Sequence, residues 1–163
     1  MSAEIGEYLV GAYLKLIERC DFVDYNVRAP GGGLAGLNEF DVIGLHFASS
    51  TAYLCEVTTH VTGLLYKNHP ATIERVQAKF QRQQNHAAMY LSNFDKHRFM
   101  FWSPWVPVGY LTQALSEVEG LELVINGEYK RRVVSLLEKA RKEKQDTGNP
   151  VFRVFQILGA LRD

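Results

Sequence analysis

Two short apolar runs, each carrying acids, do most to narrow what this chain can fold into. Residues 39–47 read Glu-Phe-Asp-Val-Ile-Gly-Leu-His-Phe and residues 52–58 read Ala-Tyr-Leu-Cys-Glu-Val-Thr, with Ala48-Ser49-Ser50-Thr51 between them. β-Branched and aromatic enrichment on either side of a short polar link predicts a hairpin, with both strands central in a sheet. Residues two apart in a strand share a face, so Glu39 and Asp41 project together, as do Glu56, Thr58 and His60 if the second strand runs that far. A hairpin can bring the two sets side by side. Anions inside strands this apolar are costly to desolvate and need a cation, a hydrogen-bond network or a raised pKa. A hard divalent ion is one answer: Mg²⁺ is commonly held by one or two carboxylates, with waters and substrate phosphate completing its octahedron. The plainer reading is a pair of strand-end carboxylates bound to an arginine or capping a loop.

The flanking segments predict an α/β protein. Ile5, Tyr8, Leu9, Ala12, Leu16 and Ile17 recur at three- and four-residue spacings, predicting an amphipathic helix over 3–19 with Ser2 as its N-cap. Residues 22–28 read as a strand, followed by a mobile turn at Pro30-Gly31-Gly32-Gly33 and Gly36. Pro70 opens a long helix over 70–92 whose apolar stripe is interrupted by Gln83 and Gln84 and whose other face is basic. Strands follow at 97–103 and 121–125, with a short helix at 108–118 between them and helices at 128–145 and 150–161 after them. The expected architecture is a central mixed four- or five-stranded sheet flanked by helices. All 163 residues form one domain: a core of 1–126 and a helical elaboration at one edge, 127–163.

Net charge is zero but unevenly spread: residues 1–60 carry −5 and the remainder +5, with basic clusters at 67–98 and 130–144. In the second cluster, Glu138 and Glu143 are spaced to pair with neighbouring lysines and arginines. The start Met-Ser-Ala-Glu has no secretory signature and no apolar run approaches a membrane span, so the chain reads as cytosolic, without a membrane partner. Cys20 and Cys55 then read as small buried hydrophobes. The five histidines show no helical i, i+4 pair, so zinc is not predicted. The triple glycine lacks the lysine and hydroxyl residue of a P-loop and precedes a strand, so it reads as a loop.

Taken in order, several of these pieces resemble the PD-(D/E)xK, or restriction-endonuclease-like, nuclease superfamily, particularly its Holliday-junction-resolvase-like and RecB-like branches. The resemblance covers about residues 4–93. It comprises Gly6-Glu7-x-x-x-Gly-Ala-x-Leu, Asn26-Val27-Arg28 with the glycine-rich loop, Glu39-Phe40-Asp41-Val42-Ile43, Leu54-Cys55-Glu56-Val57-Thr58, and the segment from Lys79-Phe80-Gln81-Arg82 through His86 to Leu91. It implies metal-dependent cleavage of DNA phosphodiester bonds. Asp41 and Glu56 would bind Mg²⁺ or Mn²⁺, Glu7 and Glu39 would complete the shell, and Lys79, Arg82 and Lys67 would hold the DNA backbone. Thr58 stands at the position of the motif lysine and has neither its charge nor its reach. Lys79, Lys67 and His60 are the residues that could substitute.

Two further readings follow from the same residues. Loss of the motif lysine would fit a catalytically inactive fold retained as a nucleic-acid-binding or protein-interaction module. The aromatic 98–110 region, with Trp102-Ser103-Pro104-Trp105, and an apolar helix bearing Val151, Val154, Phe155, Leu158 and Leu161 would fit a homodimer or adaptor surface. A dimer is compatible with the nuclease reading as well. Stacking of the two tryptophans on bases competes with a plain core or interface role.

Overall fold

The structure, a computed structural model, describes residues 3–30 and 39–161. Its elements run α1 (Ile5–Leu16), β1 (Phe22–Arg28), β2 (Glu39–His46), β3 (Thr51–Val57), α2 (His69–Tyr90), β4 (Lys96–Ser103), α3 (Tyr110–Ser116), β5 (Leu121–Ile125), α4 (Asn126–Lys142) and α5 (Pro150–Ala160). The five strands lie in chain order, β1-β2-β3-β4-β5. Pairing is antiparallel from β1 to β3 and parallel from β3 to β5, so the sheet is mixed, as expected, with β3 at its centre. The glycine-rich turn and Ser2 lie outside the described residues; Glu4 occupies the N-cap of α1, and its N–H donates to Glu7 Oε2 at 2.8 Å.

Period-two alternation sorts the sheet's side chains into two layers. Val42, Tyr53, Cys55, Met100, Trp102 and Val124 pack under α1, α4 and α5. Phe101, Leu121, Leu123 and Ile125 pack with Val76 of α2 and with Leu111 and Leu115 of α3. Ala52, Leu54 and Phe99 meet Ala87 of α2 in a smaller cluster. Cys20 and Cys55 are both buried and free.

Two glycines of α1 let it lie close on the sheet. A Cβ on Gly6 would stand 2.4 Å from Thr59 Cγ2, and one on Gly11 would stand 2.0 Å from Tyr25 Oη. That close approach sets Glu7 beside the end of β3.

The C-terminal helices do not decorate one edge of the sheet. Leu136 and Ala140 of α4 and Phe152 of α5 share one apolar cluster with Val10 and Leu14 of α1, so a cut at 126/127 would run through the core. The sequence pattern could not reveal this, because an amphipathic stripe does not say which surface it will cover. On α5, Val154, Ile157, Leu158 and Leu161 remain exposed, while Phe155 leans on the core. The expected pairing within α4 through Glu138 and Glu143 is replaced, among the described residues, by Glu128, which takes both Arg131 and Arg132. Arg132 is buried and also reaches Glu122 of β5, which binds Arg98 of β4 at 2.7 Å. Part of the basic cluster is therefore structural. Among the described residues, no helix is long and apolar enough to cross a membrane.

Candidate functional site

The β2–β3 ladder ends at the Val42–Cys55 pair, and Asp41 and Glu56 are the next residues along their two strands. Glu56 has the parity of Leu54 and meets Lys79 of α2, which places it on the α2 side of the sheet, and the charge of Asp41 acts on the same Lys79. The ladder changes character here. The Val57 N–H donates to Asp41 Oδ2 at 2.7 Å, so a side chain of β2 takes a backbone donor of β3. On the far side of Asp41, Asn26 of β1 adopts φ 51°, a left-handed value in the middle of a strand, and its amide donates to Glu7 Oε2 at 3.3 Å. Local strain of this kind clusters at functional sites. Asparagine is among the few residues that tolerate it, which was the one available signal that β1 kinks there.

Glu56 is buried, and among the described residues its Oε1 accepts no hydrogen bond of regular geometry. The charge that compensates it is the Lys79 ammonium, which reaches in from α2 and ion-pairs with that oxygen. Burial lowers the Lys79 pKa; the charge of Asp41 opposes that fall and the charge of Arg82 adds to it. Of the three side chains named as substitutes for the motif lysine, Lys79 is the one paired with an acid of the hairpin. Lys67 is exposed in the loop before α2, and His60 is exposed with its ring edge-on to Tyr66 at 5.6 Å.

The remaining predicted residues have other partners. Thr58 is buried, and its hydroxyl donates to Ser103 Oγ at 2.8 Å, tying the end of β3 to the end of β4. Glu39 pairs with Arg28 across the β1–β2 ladder, with Arg28 Nε 2.8 Å from Glu39 Oε1. Glu7 serves the α1 cap and Asn26. Burial, the largest influence, raises the Glu7 pKa, and the negative charge of Asp41 adds to the rise.

α2 does not present a basic outer face. Lys79 and Arg82 are half-buried, and His86 is buried between Phe40 and Tyr90, with ring centroids 4.4 and 4.9 Å away. The exposed positions include the neutral Gln77, Gln81 and Asn85. Gln83, which looked like an interruption of the apolar stripe, is buried, and neither end of its amide has a hydrogen-bond partner among the described residues. One turn before it stands Lys79, so both face the sheet.

No known protein family, curated protein or solved structure matches this chain.

Fitness for a cation therefore rests on the donors themselves. Among the described residues, no group of three or more His, Cys, Asp and Glu side chains could hold a metal ion. Glu7 and Glu39, expected to complete a shell, have the partners described above. The carboxylates of Asp41 and Glu56 remain. Mg²⁺ commonly uses such a sparse set because it keeps several waters, whereas Zn²⁺ and Ca²⁺ sites draw on more protein ligands. The buried Glu56 Oε1, with an ammonium as its compensating charge, is an oxygen that a small cation could share.

The electrostatics of Asp41 give a prediction about stability. Burial raises its pKa; the Val57 N–H and the charges of Lys79 and Arg82 pull it back, and Glu39 adds to the rise. A carboxyl whose folded-state pKa exceeds its unfolded value holds its proton more tightly when folded, so stability falls as pH rises between the two values. Asp41→Asn keeps an acceptor for the Val57 N–H and removes the ionisable group. It is expected to be more stable than the parent at neutral pH, with the difference shrinking at about pH 4 and below, near the unperturbed carboxylate value. Urea midpoints across that range measure it. A variant less stable than the parent at neutral pH would contradict the burial account.

Proposed function

We propose that this protein is a metal-dependent nuclease that cleaves phosphodiester bonds in DNA, with Asp41 and Glu56 as its metal-binding carboxylates and Lys79 in the role of the motif lysine. The observation that carries this reading is the Lys79–Glu56 ion pair, formed across the β3–α2 connection, with the charge of Asp41 on β2 acting on the same lysine. The resemblance to the PD-(D/E)xK superfamily left a threonine where a cation was needed, and α2 brings a cation to the same carboxylate.

When bound, Mg²⁺ or Mn²⁺ would supply a Lewis acid for the phosphoryl oxygens and lower the pKa of a bound water. The protein's own contribution is positional. Asp41 is held by the Val57 N–H, which fixes its carboxylate against the end of β3. Lys79 loses solvation in this setting, which makes its ammonium a stronger electrostatic partner for an incoming phosphate than an exposed lysine would be. Arg82, one turn along α2, acts on the charges of both Asp41 and Lys79 and so stands close to the same phosphate position.

The test is incubation of the protein with single-stranded, duplex and branched DNA in Mg²⁺, in Mn²⁺ and in EDTA, alongside Asp41→Asn. Cleavage should require the metal and fall about a thousandfold in the variant, corresponding to several kcal/mol of lost charge stabilisation at roughly 1.4 kcal/mol per decade. If DNA binds but is never cut, the reading gives way to a binding module, which the threonine at position 58 would then favour.

A further inference from the structure

Five of the chain's large exposed apolar side chains sit on or beside two neighbouring loops: Val61 and Leu65 between β3 and α2, Trp105 and Val108 between β4 and α3, and Tyr110 at the start of α3. The loops are rigidly joined. The Leu64 N–H donates to the Trp105 carbonyl at 2.9 Å, and Leu64 and Val106 are fully buried anchors in one apolar cluster. The Asn126 side chain clamps the second loop, its Oδ1 accepting from the Val106 N–H at 2.7 Å and its amide donating to the Val106 carbonyl at 3.0 Å. The rings of His69 and Tyr110 stack across the gap, 6.0 Å apart and 16° from parallel. This much preformed apolar surface, held in place without being covered, marks a recognition site.

Three observations identify what it recognises. The loops leave the ends of β3 and β4, and their anchors Leu64 and Val106 pack with Phe101, the β4 neighbour of Glu56, so the pad lies at the same end of the sheet as Glu56. Rings predominate on and around it: His60, Tyr66, His69, Trp105 and Tyr110. Residues 104–116 carry no charge, while two exposed cations stand on the neighbouring segment: Lys67, and Arg75 over the Tyr66 ring at 4.3 Å. Flat apolar rings beside a positive segment suit a chain that combines exposed base faces with phosphates. Duplex DNA hides its base faces in the stack and gains little from such rings.

We infer that the Trp105 pad stacks the unpaired bases of single-stranded DNA next to the acid pair, so that the preferred substrate has a single-stranded portion. This rests on the nuclease reading for its location, yet it can fail separately.

The protein carries its own probe. Of its two tryptophans, Trp102 is fully buried and Trp105 is half exposed, so a ligand on the pad alters Trp105 emission. Titration in EDTA with oligothymidylate, with an abasic oligonucleotide of the same length and with duplex DNA separates stacking from phosphate attraction. Oligothymidylate should quench the emission and the abasic strand should not. Trp105→Ala should weaken oligothymidylate binding by about 5- to 150-fold, the loss expected from 1–3 kcal/mol of stacking, and Trp105→Phe should retain most of it. Equal binding of the abasic strand, unchanged affinity in Trp105→Ala, or loss of self-association rather than of DNA binding in that variant would each overturn the inference. Metal-dependent cutting of duplex DNA with no change in Trp105 emission would sink the pad and spare the nuclease. Quenching by oligothymidylate without cleavage under any metal would do the reverse.

Discussion

Lys79→Met is expected to damage both stability and activity, because it leaves Glu56 as a buried carboxylate with no compensating charge. Removing one partner of a buried ion pair typically costs about 3–5 kcal/mol. The lower end applies here, since the Lys79 side chain keeps 23% of its exposure while Glu56 keeps 6%. For a chain of this size, about 3 kcal/mol lowers the melting temperature by roughly 6–12 °C. Cleavage should fall by about 10²–10³-fold, the usual cost of deleting one preorganised electrostatic partner of the transition state. The double variant Lys79→Met/Glu56→Gln separates the two effects: with the charge gone from both sides, stability should largely return, while cleavage should not. Urea denaturation and a cleavage assay on the same preparations make the comparison. An unchanged midpoint in the single variant would mean that Glu56 is not compensated by Lys79, and the strongest support for the site would go with it.

Phe152→Ala carries the other large effect and concerns the fold. Phe152 is fully buried in the cluster that joins α1, α4, α5 and the sheet. Truncating a buried phenylalanine costs about 3–5 kcal/mol, from lost transfer free energy and the cavity left behind. Leu158→Ala, on the exposed side of the same helix, should cost far less, within about 0.5 kcal/mol. If both variants unfold at the parent's urea concentration, α5 is an appendage after all. If Phe152→Ala alone collapses, residues 127–161 are part of the domain, and a fragment ending at residue 126 should not fold on its own.

These two residues mark different limits of what could be read ahead of the structure. The interior side of α5 depends on which of two apolar stripes faces α1 and α4. The helix has apolar residues nearly all round, and the fully buried one, Phe152, was absent from the set picked out by spacing. Lys79 was visible as one of three possible substitutes, but spacing could not separate it from Lys67 or His60. Thr58 had looked like a catalytic position emptied of its lysine; its hydroxyl is in fact bonded to Ser103, a residue 45 positions away. Gln83 looked like a fault in the stripe of α2 and proved to be a buried amide beside Lys79.

By itself the sequence determined what depends on near neighbours: the order and limits of nearly every helix and strand, and the hairpin. Each of these follows from a repeat of two or 3.6 residues, and a repeat is a local property. The tertiary structure alone decided that Lys79 meets Glu56, that Arg28 takes Glu39, that Arg132 joins the sheet's ion network, and that α4 and α5 close the core. Those contacts depend on the rotation of each helix about its axis and on the twist of the sheet beneath it. Both are set by how whole side-chain surfaces interlock, and no short stretch of sequence records that.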